Sequence, residues 1–323
     1  MNIKRLVKKI IFRIPGVQEA MQRKRKTMGT GSARYCYAVW LRYLVMIHKN
    51  GLPFPVESVV ELGPGNSLGV GLAAMLSGVN KYFAFDIVKH ANTDTNCKVF
   101  DELIELYKRR GNIPDAVEFP DVKPYLESYE FPAHILTNEH LGKTLKQDRV
   151  ESIRKELCNL GSASGNSIQL RYFVPWNGRP NLIKEESIDM IYSQTVMQYV
   201  DDLEVAYKTL HNWLKPNGFM LHQIDFKNDN IVKEWNGHWK YSDSEWRAII
   251  RRNESYLLNR EPYSKHVYYM QKNGFKIVFE KKVKSASGNK IGIQRSELSP
   301  RFKDMSDDDF TTSGVFVLAI KLV

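Results

Sequence analysis

The chain has 323 residues, a net charge of +11 at pH 7 and 43% hydrophobic residues, enough to build a packed core. Its three cysteines, Cys36, Cys97 and Cys158, form no CxxC pair, which excludes a disulfide framework or a cysteine zinc cluster and fits a reducing cytoplasm. The charge is not a nucleic-acid footprint: residues 1–26 hold nine Lys or Arg against one acid, so +8 of the +11 sits there and +3 in everything else.

In chain order, Ile3, Leu6, Val7, Ile10, Ile11 and Ile14 recur at helical spacing, with Lys4, Arg5, Lys8, Lys9 and Arg13 between them. Pro15-Gly16 ends the pattern. Residues 1–30 therefore read as a basic amphipathic segment, suited to an anionic membrane surface or to packing on the body or a partner chain. Arg13 interrupts the apolar run, which argues against a cleaved signal peptide, and no apolar run reaches the ~18 residues of a membrane span. Residues 35–50 predict an amphipathic helix closed by Asn50-Gly51.

Residues 56–86 then read as strand, glycine turn, helix, strand and terminal acid. Val56, Val59, Val60 and Leu62 lead into Gly63-Pro64-Gly65, a small-residue helix spans about 67–77, and Tyr82–Phe85 ends on Asp86. This is a nucleotide-binding βαβ opening, but Leu68 stands where the dinucleotide fingerprint needs its third glycine, and no Gly-Lys-Ser/Thr P-loop ending is present. Residues 92–167 are longer than a single crossover helix and predict an insertion. It carries Pro114, Pro120, Pro124 and Pro132, a polar helical run over 141–160 and a closing GSASGNS loop. Such an insertion suits a substrate lid or a structural decoration equally.

Residues 168–175 predict a third strand and 187–193 a fourth. A helix over 201–214, a Lys215-Pro216-Asn217-Gly218 turn and a fifth strand over 219–226 follow, with two final strands at 275–283 and 314–323. The alternation predicts an α/β fold, a doubly wound, mostly parallel seven-stranded Rossmann-like sheet with a helical insertion and an N-terminal amphipathic helix. The body, 31–323, reads as one domain carrying the insertion at about 92–167 and a second, aromatic and polar, at about 228–270.

Three motifs in order resemble those of the class I S-adenosylmethionine (SAM) methyltransferases: Glu61-Leu62-Gly63-Pro64-Gly65, Ser187-Ile188-Asp189-Met190-Ile191 and Leu214-Lys215-Pro216-Asn217-Gly218-Phe219. They cover about residues 55–225. ELGPGNSLGVGLAA, SQTVMQYVDDL and LHQIDF are loosely similar to bacterial methyltransferases of surface-polysaccharide biosynthesis, although members often carry Glu-His where this chain has Gln198-Tyr199. The resemblance implies SAM as cofactor. It passes the backbone of Gly63, Pro64 and Gly65, with Asn66 beside them, beneath the methionine and ribose, has Glu61 order that loop or meet the cofactor amine through water, and places Asp86 on the ribose hydroxyls. Trp176 and Asn177 fall near the adenine, and Ser193 and Gln194 at the methyl-transfer edge.

Transfer to an alkyl hydroxyl needs a base, and histidine is the usual choice. His222 on the fifth strand is the first candidate, with Asp225 to orient it or bind substrate hydroxyls, although three-residue spacing puts the two on opposite strand faces. His238 is the second. The aromatics of 235–269, interleaved with Arg251, Arg252, Asn253, Asn259 and Arg260, suit sugar stacking and a phosphate clamp, or an ordinary helical layer. The histidines show no metal-ligand spacing. The expected function is methyl transfer to a hydroxyl or amine of a sugar or glycan precursor at the cytoplasmic face of the membrane. The alternatives are a small-molecule or lipid methyltransferase and a non-catalytic SAM-fold scaffold. No nucleic-acid partner is expected, and oligomeric state has no sequence signal.

Overall fold

The computed structural model describes residues 29–160, 167–176, 182–253, 257–285 and 292–322. The predicted N-terminal amphipathic helix and the GSASGNS loop fall mainly outside them. The strands form one seven-stranded sheet, in chain-order numbering 3-2-1-4-5-7-6. The chain divides into two compact units, Met1–His48 with Pro64–Val174 and Lys49–Gly63 with Pro175–Val323.

In the first unit, α1 (Ala33–Lys49) is buried along most of its length. The helix α2 (Gly69–Leu76) is wholly apolar and wholly buried. It packs on β2 (Lys81–Phe85) and on α3 (Thr93–Lys108), whose Asn92 cap accepts from Thr95 N–H at 3.0 Å. The polar run predicted as one helix is two, α4 (Asn138–Thr144) and α5 (Gln147–Cys158), because Thr137 caps the first and the chain leaves helical geometry at Leu145-Lys146. β3 (Gln169–Phe173) runs parallel to β2 from Lys81↔Gln169 to Phe85↔Phe173. The 109–137 stretch is fixed by arginines of α1. Buried Arg42 donates to the carbonyls of Val122, Pro114 (2.7 Å) and Asp115 (2.8 Å), and Arg34 pairs with Glu118 (2.6 Å). Burying a guanidinium requires this many acceptors, so the segment between the prolines is a tied-down structure.

In the second unit, β1 (Ser58–Leu62) pairs in parallel with β4 (Ile188–Gln194), and β4 with β5 (Leu214–Asp225). The helix α6 (Leu203–Trp213) connects β4 to β5 and is capped by Asp202. After β5 come α7 (Asp243–Asn253), α8 (Tyr263–Lys272), β6 (Phe275–Lys284), α9 (Asp307–Thr311) and β7 (Thr312–Lys321). β7 inserts antiparallel between β5 and β6. It is almost wholly buried, as its apolar sequence demands, whereas β6 is the edge and carries Lys276, Lys281, Lys282 and Lys284, charges that discourage edge-to-edge pairing. The acid of the Ser187–Ile191 motif proves to be a strand staple. Asp189 accepts from Ser58 N–H (2.8 Å), Ser58 Oγ (2.7 Å) and Lys215 Nζ (2.6 Å), joining the starts of β1, β4 and β5. Burial pushes its carboxyl up, but these donors outweigh that and hold it below its usual range.

Three histidines of this unit, His222, His238 and His266, are at most 2% exposed. Burial is the main cause that holds each ring down to about 3, helped by the Arg260 charge at His238 and by His222 at His266. In the unfolded chain they titrate near 6.5. Between those values the unfolded state binds protons that the native state refuses, so stability is full above pH 6.5 and falls with acid, by up to about 4 kcal/mol per pH unit for three sites together. Urea midpoints should drop steeply from pH 7 to pH 5, and His266→Phe should flatten the dependence. A midpoint unchanged across that range would contradict it.

Candidate active site

The order of the strands reverses between β1 and β4, and in open α/β sheets ligands bind beyond the carboxyl ends of the strands at that switch point. In the second unit, β1 delivers Glu61, 2% exposed, to the carboxyl end, level with Tyr192, and Leu62 level with Ser193. Gly63 follows with φ +66°, a left-handed conformation that favours glycine, and a Cβ there would run into the side chain of Val196. Val196 comes just after β4, behind Thr195, whose φ of 54° is unusual for a β-branched residue. Thr195 N–H is tied to the Gln223 carbonyl at 2.8 Å. Sequence reasoning missed both residues, and Thr195 offers no signal for its own left-handed backbone because threonine disfavours it.

In the first unit, Pro64 is buried and Gly65 has φ +71°, with Thr30 Oγ1 2.9 Å from the position of an added Cβ. Thr30 is the organising residue that the sequence did not reveal. Its Oγ1 accepts from Asn66 N–H at 2.8 Å and Ser67 N–H at 3.4 Å, and its carbonyl accepts from Ser67 Oγ. Leu68 N–H donates to Asn96 Oδ1 at 2.9 Å and Gly69 N–H to Ser67 Oγ at 3.1 Å. The Gly65 amide donates to the Asp86 carboxylate. Every backbone amide from Gly65 to Gly69 is thus already satisfied by protein, at the place where a phosphate-binding turn would offer them to an anion.

Asp86 is 8% exposed and sits directly after β2, its amide bonded to the Phe173 carbonyl at 3.1 Å. Burial raises its carboxyl above the usual range, opposed by amides of Val88, Gly65 and Ile87 and by the His90 charge; the Ile87 bond is 2.8 Å.

At the carboxyl end of β4, fully buried Ser193 bonds His222 Nδ1 through its Oγ at 2.8 Å, and Gln194 donates to Gln223 Oε1 at 2.7 Å. Trp176 is 8% exposed and its ring lies 6.2 Å from that of Trp213. Asn177 lies outside the described residues.

The structure does not bring His222 and Asp225 together. His222 has no exposed surface, and its ring meets Tyr207 of α6 edge-on at 6.3 Å. Asp225 pairs with Lys227 at 3.1 Å. Burial raises the Asp225 carboxyl, against the opposing pull of Lys227. The candidate base His222 is enclosed: alternation along β5 turns it into the helical layer of α6 and α8. His238, the second candidate, is also buried. Of the two readings given for the aromatic segment, Arg260 and Asn259 follow the structural one. The Arg260 guanidinium is spent on the carbonyls of His238 (2.9 Å) and Tyr241 (2.8 Å) and on Asp243. The Asn259 amide is spent on those of Met197 (2.8 Å) and Val200 (2.9 Å).

Asp225 instead lines a small cleft with Gln198, Phe226, Lys227, His238 and Leu258. Among the described residues no three His, Cys, Asp or Glu side chains group so as to hold a metal ion, and no helix is long and apolar enough to cross a membrane.

Residues 175–222 match the family model of a methyltransferase domain. No curated protein matches the sequence. Among solved structures the chain is similar to a SAM-dependent methyltransferase from Methanosarcina mazei, at 12% identity and TM-score 0.43, over 86% of this chain and 97% of that one. It is similar to phosphoethanolamine N-methyltransferase 2 of Haemonchus contortus in complex with S-adenosyl-L-methionine, at 14% identity and TM-score 0.43, over 93% of this chain and 60% of that one. A third similarity is to geranyl diphosphate C-methyltransferase of Streptomyces coelicolor, at 12% identity and TM-score 0.44, over 87% and 78%.

Gly63→Ala tests the turn. The added methyl would meet Val196 on a backbone that favours glycine. SAM affinity should fall at least tenfold, about 1.4 kcal/mol, with partial recovery in Gly63→Ala/Val196→Ala. Calorimetry showing wild-type affinity in the single variant would refute the steric argument.

Proposed function

We propose that this chain, which carries a SAM-dependent methyltransferase domain, transfers the methyl group to a hydroxyl or amine of a sugar or glycan precursor. The observation that carries the cofactor part is the saturated turn. Amides from Gly65 to Gly69 are closed by Asp86, Thr30, Ser67 and Asn96, so these five are not free for a pyrophosphate. A cofactor held through a ribose diol and a sulfonium-bearing amino acid needs none. On this reading Asp86 accepts from the ribose hydroxyls, and Glu61, Gly63, Pro64, Gly65 and Asn66 run along the ribose and methionine. Trp176 and Asn177 lie toward the adenine, and Ser193 and Gln194 toward the transferring methyl.

SAM supplies an activated methyl, so the protein aligns the acceptor in line with it and removes the acceptor proton. Asp225 is the better candidate for that proton. Its side chain is 23% exposed at a narrow cleft, and burial raises its carboxyl, the direction that makes a carboxylate a better base. His222, through its 2.8 Å bond, positions Ser193. The sugar acceptor rests on the loose motif similarity and on the aromatic segment after β5; a small-molecule or lipid acceptor is the second reading, and a non-catalytic scaffold the third. Peripheral attachment to the inner face of a membrane rests on the sequence of residues 1–26 alone.

Two measurements test this. Asp86→Ala should weaken calorimetric SAM binding at least tenfold, since bonds to a charged acceptor contribute about 1.5–3 kcal/mol each; undiminished affinity would remove the ribose assignment. Removing residues 1–26 should abolish sedimentation with anionic phospholipid vesicles while the thermal midpoint holds. Equal sedimentation of the shortened chain would rule the anchor out.

A further inference from the structure

In the first unit α5 lies against α3, and two side-chain pairs fix their alignment. Asp101 of α3 bonds Arg154 of α5, whose guanidinium lies 5.2 Å from the centre of the Phe100 ring. One turn further along, the thiols of Cys97 and Cys158 share a hydrogen bond. Cys97 stands four residues before Asp101 and Cys158 four residues after Arg154, so each cysteine shares a helix face with its charged neighbour. The two pairs are consecutive rungs of one antiparallel helix contact. The thiols meet because the ion pair sets that register.

The two thiols differ in access. Cys158 is exposed and Cys97 half-buried, whereas Cys36 is wholly buried and its thiol donates to the Thr30 carbonyl at 3.4 Å. Burial, and after it Cys158, raises the Cys97 thiol above its ordinary value, and the Arg154 charge opposes that rise. An oxidant therefore reaches the outer sulfur first, with the inner one waiting beside it. A soft metal ion is the other ligand that two thiols attract, but among the described residues no group of three His, Cys, Asp or Glu is placed to hold one.

We propose that Cys97 and Cys158 are a reversible oxidation site, closing to a disulfide that staples α3 to α5. With hydrogen peroxide as oxidant, the Cys158 thiolate attacks one peroxide oxygen. An S–O bond forms, the O–O bond breaks, and the leaving hydroxide takes a proton to become water. The Cys97 thiolate then attacks the sulfenic sulfur, so that S–S forms, S–O breaks and a second water leaves. The two thiols give up two electrons and two protons, and the peroxide is reduced to two waters. A dithiol reductant reverses the change by exchange. In a reducing compartment a disulfide of this kind is transient and reports oxidant.

The staple falls at a sensitive place. Asn96, next to Cys97 and without exposed surface, holds the Leu68 amide of the glycine turn through its Oδ1 at 2.9 Å. Joining residues 97 and 158 closes the chain between them into a loop and restricts the unfolded state, so the oxidised protein is the more stable one. None of this depends on which cofactor the turn holds.

The test takes the full chain, reduced and freed of reductant, through a small excess of hydrogen peroxide, then alkylation in denaturant and peptide mapping. Free thiols should fall from three to one, with a 97–158 disulfide peptide, a monomer on a non-reducing gel and recovery of all three thiols in dithiothreitol. The thermal midpoint should rise on oxidation and return on reduction. In Cys97→Ser the Cys158 sulfenic acid has no partner thiol, so dimedone should trap about tenfold more of it than in wild type. Cys158→Ser, a change at an exposed position, should leave Cys36 and Cys97 as free thiols. Three thiols that survive peroxide overturn the pair, and so does a sulfinic Cys158 beside a free Cys97 or a disulfide-linked dimer. A cross-linked protein whose midpoint has not moved overturns the staple.

Discussion

The constraint on which the site depends is the backbone turn after β1. Two left-handed residues, Gly63 at φ +66° and Gly65 at φ +71°, reverse the chain where the strand ends. Each is crowded by a different neighbour, Val196 at the first and Thr30 at the second. A turn of this kind normally leaves several amides exposed at a helix start, the arrangement that makes phosphate sites. Here the amides are closed by side chains, chiefly Thr30 and Asn96. The turn is therefore a rigid shape, and what it offers a ligand is close backbone approach and the Asp86 carboxylate.

Burial of polar groups decides which side chains are free to act. Arg260, Asn259, Arg42 and Asn228 are all polar side chains spent on backbone carbonyls. Long irregular segments carry carbonyls with no helical or strand partner, and a buried guanidinium or amide satisfies several at once. The segment after β5 is built this way around Arg260, with Trp246 and Phe302 on its guanidinium.

Much of the fold was legible in the sequence. The strands, the small-residue helix and their order followed from the 2.0 and 3.6 periodicities and from the glycine and proline punctuation, and the boundaries moved by only a few residues. The division of 141–160 into two helices was not legible, because both halves share one polar pattern and the backbone leaves helical geometry at Lys146 without a side-chain cap. The position of β7 between β5 and β6 was not legible either, since a strand's neighbours are set by pairing over long sequence separation. The assignment of Asp86 and of the Gly63–Gly65 turn as cofactor ligands is read from the sequence, and the structure adds the contacts that shape them.

The sequence by itself determined the α/β class, the glycine turn, the acid at the end of β2 and the absence of a dinucleotide fingerprint. These are local: each depends on a residue type at a short spacing, and backbone sterics do the rest. Only the tertiary structure decided that His222 lies closed in the helical layer, that Asp189 staples strand starts, and that Thr30, thirty-three residues before Gly63 in the chain, shapes the turn. Those facts depend on which side chains meet across the fold, and burial and hydrogen-bond satisfaction are properties of that meeting rather than of any segment alone.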